Sequence, residues 1–218
     1  MKKILMTIVM LALLVNFADA RKKDVAGNVE NGVYLDEKYN YSIGVPDGWN
    51  YSIRKNDSKL RMTMTKKQYD IPIHFQNAPN YTTAPKISIY VDTTSLTVDQ
   101  FIDSLTSDKF KSKQKGAMLP EMKILNGPFQ QKKRAKMIIG DLSGVKIAGQ
   151  QKYTVQVQRS GSQSDQADVC SDFFGGSIFF LKEGNLIIAI HMICEWRYFD
   201  VNENDFQEIL NTLKIIKG

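Results

Sequence analysis

Chemistry built on imidazole or thiol has four side chains to draw on in this chain: His74, His191, Cys170 and Cys194. His191 stands in the apolar run from Leu186 to Cys194, where a lone histidine is expected to be a packed core residue with a satisfied ring. The stretch His191-Met192-Ile193-Cys194-Glu195 has metal-ligating residue types. On a strand, however, successive side chains alternate, so His191 points away from Met192 and Cys194. That spacing matches no structural zinc pattern. Asp165, Asp168 and Asp172 sit at i, i+3 and i+7 in a polar segment, without the glycine and closing glutamate of an EF-hand loop. They read as solvated carboxylates. The sequence holds no phosphate-cradling glycine loop, no H-E-x-x-H and no G-x-S-x-G. No nucleophile–base pair can be named, so no catalytic residue, cofactor or metal ligand is expected.

The elements that must position any function begin after an export signal. Lys2 and Lys3 precede an uncharged apolar stretch from Ile4 to Phe17, and Ala18-Asp19-Ala20 is a small-x-small site. This stretch is shorter than the ~20 residues a lasting membrane span needs. Cleavage after Ala20 is predicted, and the lysine-led start suggests a bacterial protein of the periplasm, surface or medium. Residues 1–20 are thus a signal peptide, 21–30 a flexible leader and 31–218 a single domain. Cleavage removes Lys2, Lys3 and Asp19, lowering the formal charge from +6 to +5. That mild excess permits weak contact with anionic surfaces without demanding it. An even cysteine count in an oxidising compartment suggests a Cys170–Cys194 disulfide, with two buried thiols as the alternative. A bridge from Cys170 to Cys194 would close a loop of about 25 residues and add ~3 kcal/mol.

Strands dominate the first half. Tyr41-Ser42-Ile43-Gly44-Val45 alternates, Pro46-Asp47-Gly48 is turn chemistry, and Trp49 to Ile53 resumes the alternation. Leu60, Met62 and Met64 alternate with Arg61, Thr63 and Thr65, predicting one dry face and one wet face. Lys86 to Thr93 repeats the pattern. Between them, the proline-punctuated segment from Lys66 to Pro85 is long enough to be a functional loop. Thr97 and Gln100 form a capping box ahead of a helix through Val98, Phe101, Ile102 and Leu105, with Phe110 as an extension of its stripe.

In the second half, strands are expected over Met122 to Leu125, Lys136 to Leu142 and Val145 to Ala148, the last two turning at Ser143-Gly144. Tyr153, Val155 and Val157 alternate, and Arg159 to Asp168 is a polar loop. Ser177 to Leu181 and Leu186 to Cys194 form a central hairpin about Lys182-Glu183-Gly184-Asn185. Asn202 or Asn204 caps a closing helix with an apolar stripe of Phe206, Ile209, Leu210 and Leu213. This is an α+β layout, an antiparallel β-sheet flanked by helices.

Two basic clusters, Lys109 to Lys115 and Lys132 to Lys136, lack the aromatic interleaving of a single-strand nucleic-acid groove. They read as solvated faces. Glycosylation sequons at Asn40, Asn50, Asn56 and Asn80 are coincidental in a bacterial chain.

The corner Tyr39-Asn40-Tyr41-Ser42-Ile43-Gly44-Val45-Pro46-Asp47-Gly48-Trp49 resembles the opening of the PsbP-like family, and Phe206 to Leu213 running into Lys214-Ile215-Ile216 is similar to that family's last helix and strand. The resemblance covers the layout from Asn31 to Gly218, and these two stretches are its specific part. It implies an α/β/α sandwich and a binding or assembly role, as in extrinsic photosynthetic proteins and a Ran-release factor. No family ligand residue falls on a matching position. The expected function is an exported, non-enzymatic module for an unknown protein partner in the cell envelope. The alternative is a small-molecule, lipid or metal binder using a cleft beside the sheet.

Overall fold

Tyr41, Ile43 and Val45 are buried while Ser42 and Gly44 stay partly open, which is the period-2 burial their spacing requires. The computed structural model describes residues 24–69, 85–106, 129–157 and 168–216, with only the backbone described for 153–157 and 168–172. In chain order the elements are β1 (Asn28–Glu30), β2 (Val33–Asp36), β3 (Tyr41–Gly44), β4 (Trp49–Ile53), β5 (Leu60–Lys66), β6 (Lys86–Thr93) and α1 (Val98–Thr106). There follow β7 (Gln130–Ile139), β8 (Leu142–Val157), β9 (Asp168–Glu183), β10 (Leu186–Glu195), α2 (Phe199–Leu210) and β11 (Lys214–Ile215).

The strands make two antiparallel sheets, β1-β2-β3-β11 and β4-β5-β6-β10-β9-β8-β7. One face of the large sheet presents Met62, Met64, Ile87, Ile89, Ile190 and Met192 to the small sheet and α2, which contribute Tyr34, Ile43, Phe206, Ile209 and Leu210. Its other face receives α1, where Phe101, Ile102 and Leu105 pack on Tyr90, Ile147, Ile178, Phe180 and Ala189. The fold is therefore α+β, with helices on both sides of an antiparallel sheet. No described helix is long and apolar enough to cross a membrane.

Several expectations hold at residue level. β6 spans Lys86–Thr93. In the capping box, the Thr97 amide donates to Gln100 Oε1 (3.0 Å) and the Gln100 amide donates to Thr97 Oγ1 (3.2 Å). The central hairpin turns at Gly184, whose φ of 57° is left-handed.

Others need correction. The β7–β8 turn falls at Gly140-Asp141, with Gly140 at φ 59°, and not at Ser143-Gly144. Gly144 lies inside β8 because a Cβ there would run into the Phe179 ring. The supposed leader is docked from Asp24 onward: Val25 bridges Lys55, the Ala26 amide donates to the Arg54 carbonyl (2.8 Å), and β1 pairs with β2. Asn202 does not cap α2, which starts earlier at the corner after β10. Instead it is buried within the helix, its side-chain amide donating to the Tyr198 carbonyl (2.8 Å).

Arg61 departs furthest from its predicted wet face. A bulge between Leu60 and Met62 breaks the alternation and turns it inward between the sheets. There, fully buried, it donates through Nε to Asp36 Oδ2 (2.7 Å) and through Nη1 to the carbonyls of Asn56 (2.7 Å) and Ser58 (2.8 Å). Tyr34 also donates to the Ala26 carbonyl (2.8 Å) beside this pair. The segment from Met122 to Leu125, the Lys109 to Lys115 cluster, Phe110 and His74 lie outside the described residues. So do 70–84 of the Lys66 to Pro85 stretch and nearly all of the Arg159 to Asp168 stretch.

Candidate interaction surface

β10 hands over to α2 through a single 3-10 turn, Trp196–Tyr198, and that tight corner throws large rings outward. Trp196 stacks on Phe199, centroids 5.1 Å apart and planes 25° apart. Both rest over Gly175 of β9, where a Cβ would meet the two rings. Tyr198 meets Tyr69 edge to face at 5.8 Å. Tyr69 in turn donates to Glu195 Oε2 (3.2 Å), and Glu195 also pairs with Arg197. Burial, then the nearby Glu195 charge, pushes the Tyr69 phenol well above its ordinary range, so it remains a donor to that carboxylate.

The rings stay wet despite this bracing. Trp196 and Tyr198 are each 40% exposed, Phe173 38% and Val201 61%. From the other side, Lys66 fastens α2 by donating to Asp205 Oδ2 (2.6 Å) and Asn202 Oδ1 (3.3 Å). Lys146 of β8 holds the same helix through Glu203. The surface is thus apolar, aromatic and fixed to two helix anchors, with Tyr69 at its edge where the Lys66 to Pro85 segment begins.

Residues singled out by sequence are dispersed. His191 is buried on the α1 side of the large sheet, across from Ser88 in register, while Met192 and Cys194 face the opposite core. Among the described residues no group of three or more His, Cys, Asp or Glu is placed to hold a metal ion. Asp168 and Asp172 belong to β9 by backbone, and Asp165 lies outside the described residues. The second basic cluster runs along the β7 edge. Its Arg134 is engaged with Asp99 (3.3 Å) and Asp103 (2.6 Å) of α1.

The disulfide expectation is overturned. Cys194 is a free, buried thiol. It pairs in register with Gly175, whereas Cys170 lies five residues further along β9, opposite Val155. Five residues of strand span about 16 Å, and bridged cysteines need Cα atoms within about 7 Å. Burial pushes the Cys194 thiol up to about 12 from an ordinary value near 9. The folded thiol therefore keeps its proton longer than the unfolded one. This contribution to stability is complete below about pH 9 and is lost as pH rises toward 12. Two results should follow. Cys194 resists alkylation in native protein at pH 8, and denatured, unreduced protein takes two adducts by mass spectrometry. A single unreduced species without adducts would restore the bridge.

No protein-family model matches the chain, and no curated protein matches it. Among solved structures it is similar to the cyanobacterial PsbP of Synechocystis (TM-score 0.49, 10% identity, covering 87% of this chain and 96% of that one). It is also similar to LpqN of Mycobacterium tuberculosis, described as involved in cell envelope biogenesis (TM-score 0.47, 12% identity, 88% and 90% covered). A third is the Ran-binding protein Mog1p of Saccharomyces cerevisiae (TM-score 0.45, 9% identity, 87% and 97% covered). At such identities the likeness is one of chain path.

Sequence reasoning passed over the aromatic corner. Its signal was available: Trp196, Tyr198 and Phe199 crowd four positions just where the apolar strand ends.

Proposed function

We propose that this chain is an exported, non-enzymatic binding module that docks a protein partner through the β10–α2 corner. The observation that carries this reading is the braced, exposed pair of rings Trp196 and Tyr198, with exposed Phe173 and Val201 on the adjoining strand and helix. Exposed rings held in fixed rotamers offer large contact area at small entropic loss, which is why Trp and Tyr dominate the energetic centres of protein interfaces. Isolated surface apolar residues need no explanation, but a contiguous group does. Arg197, half-exposed with its guanidinium 5.8 Å from the Tyr198 ring centroid, adds the third residue type enriched at such centres. The buried position of His191 favours a packed core role over that of an accessible base.

A photo-crosslinking residue at Val201, compared with one at exposed Glu37 in the β2–β3 turn, tests the docking surface in intact cells. A discrete adduct from position 201 and none from position 37 is expected. Equal patterns from both positions remove the reading. Export has its own check: protein recovered from envelope or medium should begin at Arg21, and cytosolic protein still starting at Met1 contradicts it.

A further inference from the structure

β10 leaves the large sheet before β9 does. Its last pair is Glu195 with Phe174, after which the Trp196–Tyr198 turn carries the chain away. β9 stays paired with β8 from Phe173 down to Asp168, six further residue pairs and about 20 Å of strand. Among the described residues no strand lies beside Asp168–Asp172 on the side that β10 has vacated. Strand geometry turns the N–H and C=O groups of alternate residues there outward, away from β8. A two-stranded ribbon is marginal alone in water, and such an edge is a template for a third strand.

Two observations say which strand. The first is position. The open edge starts next to Phe173, two residues from the Gly175 on which Trp196 and Phe199 rest. A strand laid along it continues the line of β10 and ends against the aromatic corner. The second is charge. Alternation puts Asp168 and Asp172 on one face of the ribbon and Phe173 on the other. Register sets the two aspartates opposite Val157 and Tyr153, neither of them basic. Self-pairing of the whole stretch with a second copy would bring Asp168 against Asp172 at both ends, and like charges directly opposite destabilise a strand pair. The same carboxylates select a strand that brings positive charge at positions four apart.

We propose that the partner at the β10–α2 corner binds as an added strand along Asp168–Asp172 of β9, through an extended segment with lysine or arginine four residues apart on one face and apolar residues on the other. This deepens the docking reading and rests on it. The capped peptide Lys-Val-Thr-Val-Lys-Val carries the pattern and is titrated into 15N-labelled full-length mature protein. Beside it run a copy with both lysines replaced by glutamate and a copy methylated at every backbone nitrogen, which keeps the charges and loses the donors. In free protein, alternate amides of 168–172 should exchange fast with deuterium. The lysine peptide should slow them, with saturable shifts confined to 168–174 and the corner. Both control peptides should bind at least about tenfold more weakly, and the double variant Asp168→Asn with Asp172→Asn should weaken the lysine peptide roughly fivefold. Uniformly slow exchange across 168–172 in free protein, meaning that this chain or a second copy already covers the edge, overturns the proposal. So does equal binding of the methylated copy, or no saturation by about 2 mM of the lysine peptide. A Val201 adduct in cells alongside any of these failures keeps the corner and removes only the added strand, whereas a missing adduct removes the corner itself.

Discussion

Replacing Arg61 with alanine is expected to destabilise the protein by about 3–5 kcal/mol, read as a fall in the urea midpoint at unchanged slope. The size follows from what is left behind. Asp36 would remain fully buried without its partner, and the carbonyls of Asn56 and Ser58 would lose their donors. An unpaired buried carboxylate is far costlier than an absent pair. The double replacement Arg61→Met with Asp36→Leu removes both charges and should recover much of the loss. It should not recover all of it, because three backbone carbonyls, including that of Ala26, lean on the guanidinium. A loss under about 1 kcal/mol for Arg61→Ala, the size typical of exposed pairs, would mean that solvent reaches this pair.

Truncating Trp196 and Tyr198 to alanine together should cut partner capture by at least about 30-fold, since a single central ring is commonly worth ~2 kcal/mol or more. The crosslinked adduct at Val201 gives the readout, and thermal unfolding monitors the fold. Both rings are substantially exposed, so stability should fall only modestly. Gly175→Ala probes the geometry instead of the contact. Its new methyl would displace Phe199, and Trp196 with it, so capture should weaken although every exposed ring is still present. Undiminished capture by both variants removes the corner from consideration.

How far the sequence could be read follows from which forces are local. β6 and the Thr97–Gln100 box depend on neighbouring residues and were legible to the residue, as was the turn of the β9–β10 hairpin, whereas β9 runs from Asp168 to Glu183, well beyond the expected Ser177 to Leu181. Gly140 and Gly144 look alike in one dimension. One turns the chain with positive φ, while the other makes room for Phe179, and only tertiary packing separates them. The small sheet was half hidden because β2, Val33-Tyr34-Leu35-Asp36, buries a carboxylate that local reasoning assigns to solvent. Arg61 is the counterpart of that concealment: a bulge, invisible in composition, moved it from the wet face to the seam. The aromatic corner was missed for a related reason, since exposure is a property of the assembled surface.

The bond from the Lys66 amide to the Pro85 carbonyl (3.1 Å) seals the open end of the β5–β6 pair. The spacing of Lys66 and Pro85 is therefore set by the β5–β6 register itself, and that clamp delivers Lys67 and Tyr69 to the same side of the molecule as the β10–α2 corner.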